Sequence, residues 1–169
     1  MGTKSIRRTV IGVGVAAALL LGAPASFAKS PGTLSVSGQP QTSQILAWSW
    51  GLSNSGSAQV GGGVGAGKAN VQDVSITKPT DANSIALVKG VATGQHFEAV
   101  TLDFPLSTGL SPFVVKLELQ DVIITSYSTG GSAGGSDAMS ENVSFNFAKF
   151  KYSIGTASFG FNIAENVPT

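Results

Sequence analysis

The chain has 169 residues, 42% hydrophobic and only 11% charged, and its 10 basic and 9 acidic side chains give a net charge of +1. It has no cysteine and one histidine, which excludes a disulfide scaffold, thiol catalysis and cysteine-type zinc sites. A balance this close to neutral offers no electrostatic reason to bind nucleic acid.

The first residues read as a secretory signal. Lys4, Arg7 and Arg8 form a basic start, Val10 to Leu21 an apolar run, and Ser26 and Ala28 the small residues a signal peptidase reads. Cleavage is expected between Ala28 and Lys29. The apolar run, followed by Pro24, is shorter than the about 20 residues that a stable membrane anchor needs. Arg7-Arg8 faintly resembles a twin-arginine signal, with the general secretory route favoured. Losing residues 1–28 removes Lys4, Arg7 and Arg8, so 10 basic residues become 7 against 9 acidic ones, a net charge of −2. The expectation is a signal peptide at 1–28 and one exported domain at 29–169, periplasmic or extracellular, with no further transmembrane candidate.

Along that domain, Leu34 to Gly38 is a short alternating strand. Ile45 to Leu52 is a second, placing Leu46, Trp48, Trp50 and Leu52 on one face. From Ser53 to Gly67 the chain reads as loop, holding Gly56, Gly61, Gly62, Gly63, Gly65 and Gly67 and almost no large side chain. Lys68 to Lys78 returns to strand, with a phase slip at Gln72-Asp73 that predicts a bulge, and Pro79 ends it. Asp81 to Thr93 reads as a helix with Asp81 as N-cap and Gly94 as left-handed stop. Its apolar stripe is Ile85, Val88 and Ala92, widened by Leu87 and Val91. Gly90 inside it costs about 1 kcal/mol relative to Ala. Alternation resumes over Glu98 to Phe104, Phe113 to Ile124 (slipping at Gln120-Asp121) and Val143 to Ile154 (slipping at Ala148-Lys149). After the Gly155-Thr156 turn, Ala157 to Ile163 pairs back as a hairpin. Ser128 to Ser136 is a second loop. The predicted fold class is mainly β: a compact antiparallel barrel or two-sheet sandwich with one helix.

Chemical motifs are scarce. Gly62 to Lys68 imitates a phosphate-binding loop, but Ala69 stands where a metal-holding hydroxyl is needed and a strand follows instead of a helix. His96 is the lone imidazole, with no nucleophile elbow to serve. Asp73, Asp103 and Asp121 show no repeated ligand or acid–base pattern, and Asp73 and Asp121 are expected to satisfy backbone amides at the bulges. No catalytic, metal or cofactor site is assigned. Trp48 and Trp50 could stack on sugar rings, but the Leu46–Leu52 stripe favours them as core.

The ordered series Trp48-Ser-Trp-Gly51, Val71-Gln-Asp-Val-Ser-Ile-Thr-Lys78, Ala92-Thr-Gly94, Leu119 to Tyr127 with Gly130-Gly131, and Glu141 to Phe147 followed by Tyr152 resembles the Hcp family, the haemolysin-coregulated tube proteins of type VI secretion. The likeness runs from Leu34 to Ile163. It implies a β-barrel of two sheets with one helix, and six copies in a ring whose channel can hold effector cargo. The family's ring-stacking loop would fall at Ser53 to Gly67, with Ser53, Gly56, Gly62, Gly63, Gly65 and Gly67 as its marked residues. Because this loop is nearly all Gly, Ser and Ala, rings are expected more than tubes. The expected function is a non-enzymatic, exported, self-assembling structural protein. A monomeric exported binding domain, and a serine hydrolase using His96, are the rivals.

Overall fold

The computed structural model describes residues 31–54, 67–108, 111–131 and 139–169. Among these lie β1 (Gly32–Val36), β2 (Ser43–Ile45), β3 (Ala47–Ser49), β4 (Leu52–Asn54), β5 (Ala69–Val71), β6 (Val74–Pro79) and α1 (Ser84–Thr93). Three long strands follow, β7 (His96–Thr108), β8 (Ser111–Gly130) and β9 (Ser140–Ile154), then β10 (Ala157–Asn162) and β11 (Val167–Pro168). Among the described residues the fold is mainly β with one helix, as the alternating pattern predicts. The single strand expected over Ile45 to Leu52 is broken into three pieces, and β11 had no signal in the sequence.

β9 is the hub of the pairing. It runs antiparallel to β8 along its length, while its other edge takes β6 over the first half and β10 over the second. β8 pairs with β7, β7 with β1, and β1 with β2. At Leu46 the chain steps from β2 to β3, which pairs with β6, and the Leu46 amide donates to the Thr77 carbonyl at 2.8 Å. The ladder is thus folded over as a sandwich without closing into a continuous barrel. Leu34, Val74, Leu102, Leu117, Leu119 and Phe145 fill the interior.

The three expected phase slips have different causes. Burial passes from Leu119 to Val122 in β8, from Phe147 to Phe150 in β9, and from Phe97 to Val100 in β7. These points are neighbours, since Ala99 pairs with Gln120 and Gln120 with Lys149. Register runs through them unchanged, so the bulge expected at Asp121 is absent, and the slips at Gln120-Asp121 and Ala148-Lys149 belong to one bend line crossing three strands. Asp121 turns β8 there with a φ of 55°, a left-handed conformation that Asp tolerates better than most side chains. The register shift in this pair lies further on, between Ile124 and Ser126. At Gln72-Asp73 there is no bulge either: the chain leaves β5, paired with β4, and enters β6, paired with β3 and β9.

The helix begins at Ser84, with Asn83 at the N-cap position and no side-chain cap bond. Asp81 stands outside it, its Oδ1 accepting from the Asn83 amide at 2.9 Å. Asn83 instead donates through Nδ2 to the Gln41 carbonyl and the Ser43 hydroxyl, at 2.9 and 3.0 Å, fastening the helix start to the β1–β2 connection. Gly94 closes the helix at φ 64°, as expected. The buried face is Ser84, Leu87 and Gly90. Of the predicted stripe, Leu87 is buried and Val91 packs against the core, while Ile85, 76% exposed, Val88 and Ala92 point outward. Gly90 explains the choice: a Cβ there would lie 2.9 Å from the Phe97 ring and 3.0 Å from Ile124. Its small size lets the helix approach the sheet closely.

Beside the helix start, Lys78 and Glu141 are both fully buried, paired across β6 and β9 with Nζ to Oε2 at 2.9 Å. Nζ also meets the Pro79 carbonyl at 2.8 Å, Asp81 Oδ1 at 3.0 Å and the Ser84 hydroxyl at 3.3 Å. Three protons therefore serve four acceptors. Desolvation pushes the Glu141 carboxyl upward, but the Ser84 hydroxyl, the Lys78 ammonium and the Tyr127 phenol outweigh it and hold it below its ordinary value. Asp81 is likewise lowered: desolvation is outweighed by Ser43, Lys78 and the Asn83 amide. Burial first, then Glu141, raise the Tyr127 phenol.

Two outcomes follow from this packing. Gly90→Ala should destabilise the fold by about 1–3 kcal/mol through overpacking, although alanine is the better helix former; urea unfolding reads the sign. Lys78→Met should cost about 3–5 kcal/mol by stranding a buried carboxylate, with Lys78→Met/Glu141→Leu closer to wild type. Because both carboxyl values are lowered on folding, their contribution is complete above the unfolded-state values of about 3.9 and 4.3. It is lost as pH falls through the lower folded values. Urea midpoints between pH 7 and pH 3 should therefore drop at the acid end, and less steeply in the double variant.

Candidate interaction surfaces

The two tryptophans are half-buried and do different things. Trp50 packs among Phe150 (4.9 Å between ring centroids), Tyr152 (6.0 Å) and Phe147 (6.4 Å), contacts worth about 0.5–1.5 kcal/mol each beyond area burial. Its Nε1 is buried without a hydrogen-bond partner among the described residues. Trp48 stacks on Phe104 at 4.6 Å and 18°. Both tryptophans lean on the core, as the alternation suggested, but their flanking partners do not. Leu46 is 57% exposed and Leu52 is also exposed, because the chain breaks stride at Leu46 and leaves the main sheet after Trp50.

The Trp48–Phe104 stack lines a groove of about 460 Å³ between the Gln44–Trp48 segment and the Phe104–Leu106 part of β7, bounded by Pro31, Val115 and Tyr152. Its lining holds no Asp, Glu, Lys, Arg or His. Gly32 makes room for the stack, since a Cβ there would sit 2.5 Å from the Phe104 ring. Beyond the groove, β7 and β8 run on as a two-stranded ribbon. Residues Phe104 to Thr108 pair only with β8, and Ser111 to Val114 only with β7. Both outer edges of this ribbon are unladdered among the described residues, apart from one bond from the Gly155 amide to the Val114 carbonyl.

The sheet surface facing away from the core is divided by the bend. On one side, Ser49, Ser75, Ser144 and Ser126 form a row across β3, β6, β9 and β8. Ala47, Thr77, Asn142 and Ser128 form the next. Two bonds tie side chains within these rows, Ser75 Oγ to Ser144 Oγ at 2.9 Å and Thr77 Oγ1 donating to Asn142 Oδ1 at 2.8 Å. Across the bend the rows carry charge: Glu118 faces Lys151, and Lys116 lies 3.6 Å from Asp103.

The remaining polar residues singled out by sequence divide similarly. Asp73 does not satisfy backbone amides; it accepts from Thr125 Oγ1 at 2.6 Å and Asn146 Nδ2 at 2.8 Å. Asp121 pairs with His96 Nδ1 at 3.1 Å, both well exposed. No described serine or threonine hydroxyl bonds to that imidazole. Lys68 and Ala69 lead into strand β5, so the glycine run has no helix start to hold a phosphate.

The expected stacking loop is narrower than its sequence suggests. Ser53 belongs to β4 and pairs with Asn70 of β5, and Asn54 Nδ2 donates to the Gly67 carbonyl at 3.0 Å. Gly56, Gly62, Gly63 and Gly65 lie outside the described residues, as do Ala28 and Lys29. Sequence reading missed the groove and the buried ion pair. The pair had a signal: Lys78 continues the buried phase of Val74 and Ile76, as Glu141 begins that of Val143 and Phe145.

Comparison with known proteins places these surfaces in a family. The model of the family described as "Type VI secretion system effector, Hcp" matches residues 26–154. Protein hcp1 of Pseudomonas aeruginosa is 39% identical over 112 residues, covering 59% of this chain and 68% of that protein. A structure described as a type six secretion system protein superposes with a TM-score of 0.69 at 20% identity, over 82% of this chain and 99% of the other. Hcp1 from Salmonella typhimurium gives 0.63 at 21%, over 82% and 98%. The structural likenesses show a shared fold, and the family match, spanning most of the sequence, shows descent: this chain belongs to the Hcp family of secreted type VI secretion proteins.

Proposed function

We propose that the protein is exported by an N-terminal signal cut between Ala28 and Lys29, leaving one domain at 29–169. That domain assembles without enzymatic activity into six-membered rings able to carry secreted effector cargo. The observation that carries the ring reading is the β7–β8 ribbon with its unladdered edges. Unpaired strands invite pairing with another chain, and a contact that is not self-complementary closes into a ring when its rotation allows. Family membership supports the same reading. Between rings, Ser53, Gly56, Gly62, Gly63, Gly65 and Gly67 occupy the place of a stacking loop, but a segment this poor in side chains gains little contact for the entropy lost on ordering. Rings without long tubes are the expected product. The Trp48–Phe104 groove favours the second reading, a monomeric exported binding domain.

Intact mass of the secreted protein checks the processing: the value for a chain starting at Lys29 is expected, and one retaining residues 1–28 would mean an anchored protein. Size exclusion with light scattering, joined to negative-stain imaging, checks the assembly. A hexamer with a central hole is expected, a strict monomer at tens of micromolar would favour the binding domain, and long ordered tubes would show that the loop stacks.

A further inference from the structure

The β7–β8 ribbon carries prolines at the positions where bare strand edges invite pairing. Ser37 donates its amide to the Ala99 carbonyl at 2.9 Å, and the Ala99 amide donates to Ser37 Oγ at 3.1 Å, so Ala99 turns its backbone groups toward β1. Alternate residues of an antiparallel strand point the same way. Thr101, Asp103, Pro105 and Ser107 therefore direct their backbone groups away from β8. On the other strand, the Val114 carbonyl accepts from the Gly155 amide outside the ribbon, so Val114 and Pro112 point away from β7. The register agrees: Pro105 lies opposite Val114 and Ser107 opposite Pro112, pairs that exchange no bond within the ribbon. Both prolines thus stand where a missing N–H costs the ribbon nothing and is felt only by a strand arriving from outside.

Pro31 extends the pattern. The β1–β7 ladder ends at Thr33 opposite Asp103, and the next hydrogen-bonding pair in that register would be Pro31 with Pro105, neither of which has an N–H. Gly155 lies against Val114, which leaves Ser107 as the one other outward position of the ribbon with an N–H among the described residues. The segment needs protection, because from Phe104 to Val115 it holds no charged side chain and Val114 is exposed. Uncharged, apolar β segments are the ones that stack into open-ended sheets. The usual guard, a lysine on the edge, is absent here. We propose that Pro105 and Pro112 are gatekeepers that stop the ribbon from adding strands of further copies along its length, so that self-association of this protein stays finite. Pairing can still begin at Ser107 and the edge carbonyls, as the ring reading requires, but it cannot run on.

Restoring the two amides tests this. The full chain is expressed with Pro105→Thr/Pro112→Thr, purified, and shaken beside wild type at tens of micromolar, with thioflavin T fluorescence, sedimentation and light scattering as readouts. A shift from a finite species to sedimenting, thioflavin-positive sheets is expected for the double variant, a smaller shift for each single variant, and none for wild type. Pro105→Lys/Pro112→Lys regains the same amides but puts charge on both edges, and should stay dispersed. Hydrogen exchange on the dispersed threonine variant should find the new amides at 105 and 112 unprotected, with those of Phe104 and Leu106 protected as in wild type. A threonine variant that keeps the wild-type size distribution would overturn the gatekeeping role. So would protection of the new amides in the dispersed chain, which would place them in bonds within the subunit. Equal aggregation of the lysine and threonine variants would trace the effect to lost folding and overturn it too. None of these readouts depends on whether the wild type runs as a ring or as a monomer.

Discussion

The bend across β7, β8 and β9 is the constraint on which the rest of the molecule depends. Three long strands change their buried phase at adjacent points while keeping register. Each therefore presents one set of side chains to the core before the line and the alternate set after it. A flat sheet of this length would leave one apolar face uncovered, and the bend lets the halves enclose a shared interior. β9 can then pair with β6 at one end and β10 at the other, which brings β3 and Trp48 over the groove. The single left-handed residue within these strands, Asp121, marks where the backbone geometry is most demanding.

Fixing the helix against this sheet required a compromise between packing and charge. Close approach at Gly90 selects which helical face is buried, and the Asn83 amide and the Lys78 cluster hold the helix start in place. A buried ion pair is weak evidence of net stability, because desolvation offsets much of its attraction. Its clearer effect is on specificity: a register slip between β6 and β9 would leave Lys78 and Glu141 each facing apolar neighbours. The cluster thus enforces the alignment of the two strands and the docking of α1 together.

Much of the architecture was legible in the residues. The long alternating segments, the positions at which burial changes phase, the stop at Gly94 and the family likeness could all be read from pattern. The helix face was misread because Ile85 and Val88 look like core, while Ser84 and Gly90 look like interruptions. Only the tertiary demand of Phe97 and Ile124 for space reverses that order. The Ile45–Leu52 run was misread for a related reason: alternation says which side chains share a face but not that the chain changes partner at Leu46 and again after Trp50. A lysine is ordinarily read as a surface residue, so Lys78 passed as the end of a strand, although its register opposite Glu141 follows from aligning two apolar phases. The groove escaped because its walls come from segments far apart in sequence, joined only when β1 lies beside β7.

The serine rows on the outward sheet have a consequence for whatever moves along them. Ser75 with Ser144 and Thr77 with Asn142 are already engaged with one another, so an approaching macromolecule meets short uncharged side chains, part of whose hydrogen-bonding capacity is already taken. It meets neither a field to hold it nor an oily patch to grip it. Contacts with such a wall form and break with shallow energy wells, so a polypeptide sliding over this half of the sheet would experience low friction and little sorting by charge. The far side of the bend, studded with Glu118, Lys151, Lys116 and Asp103, would be sticky by comparison.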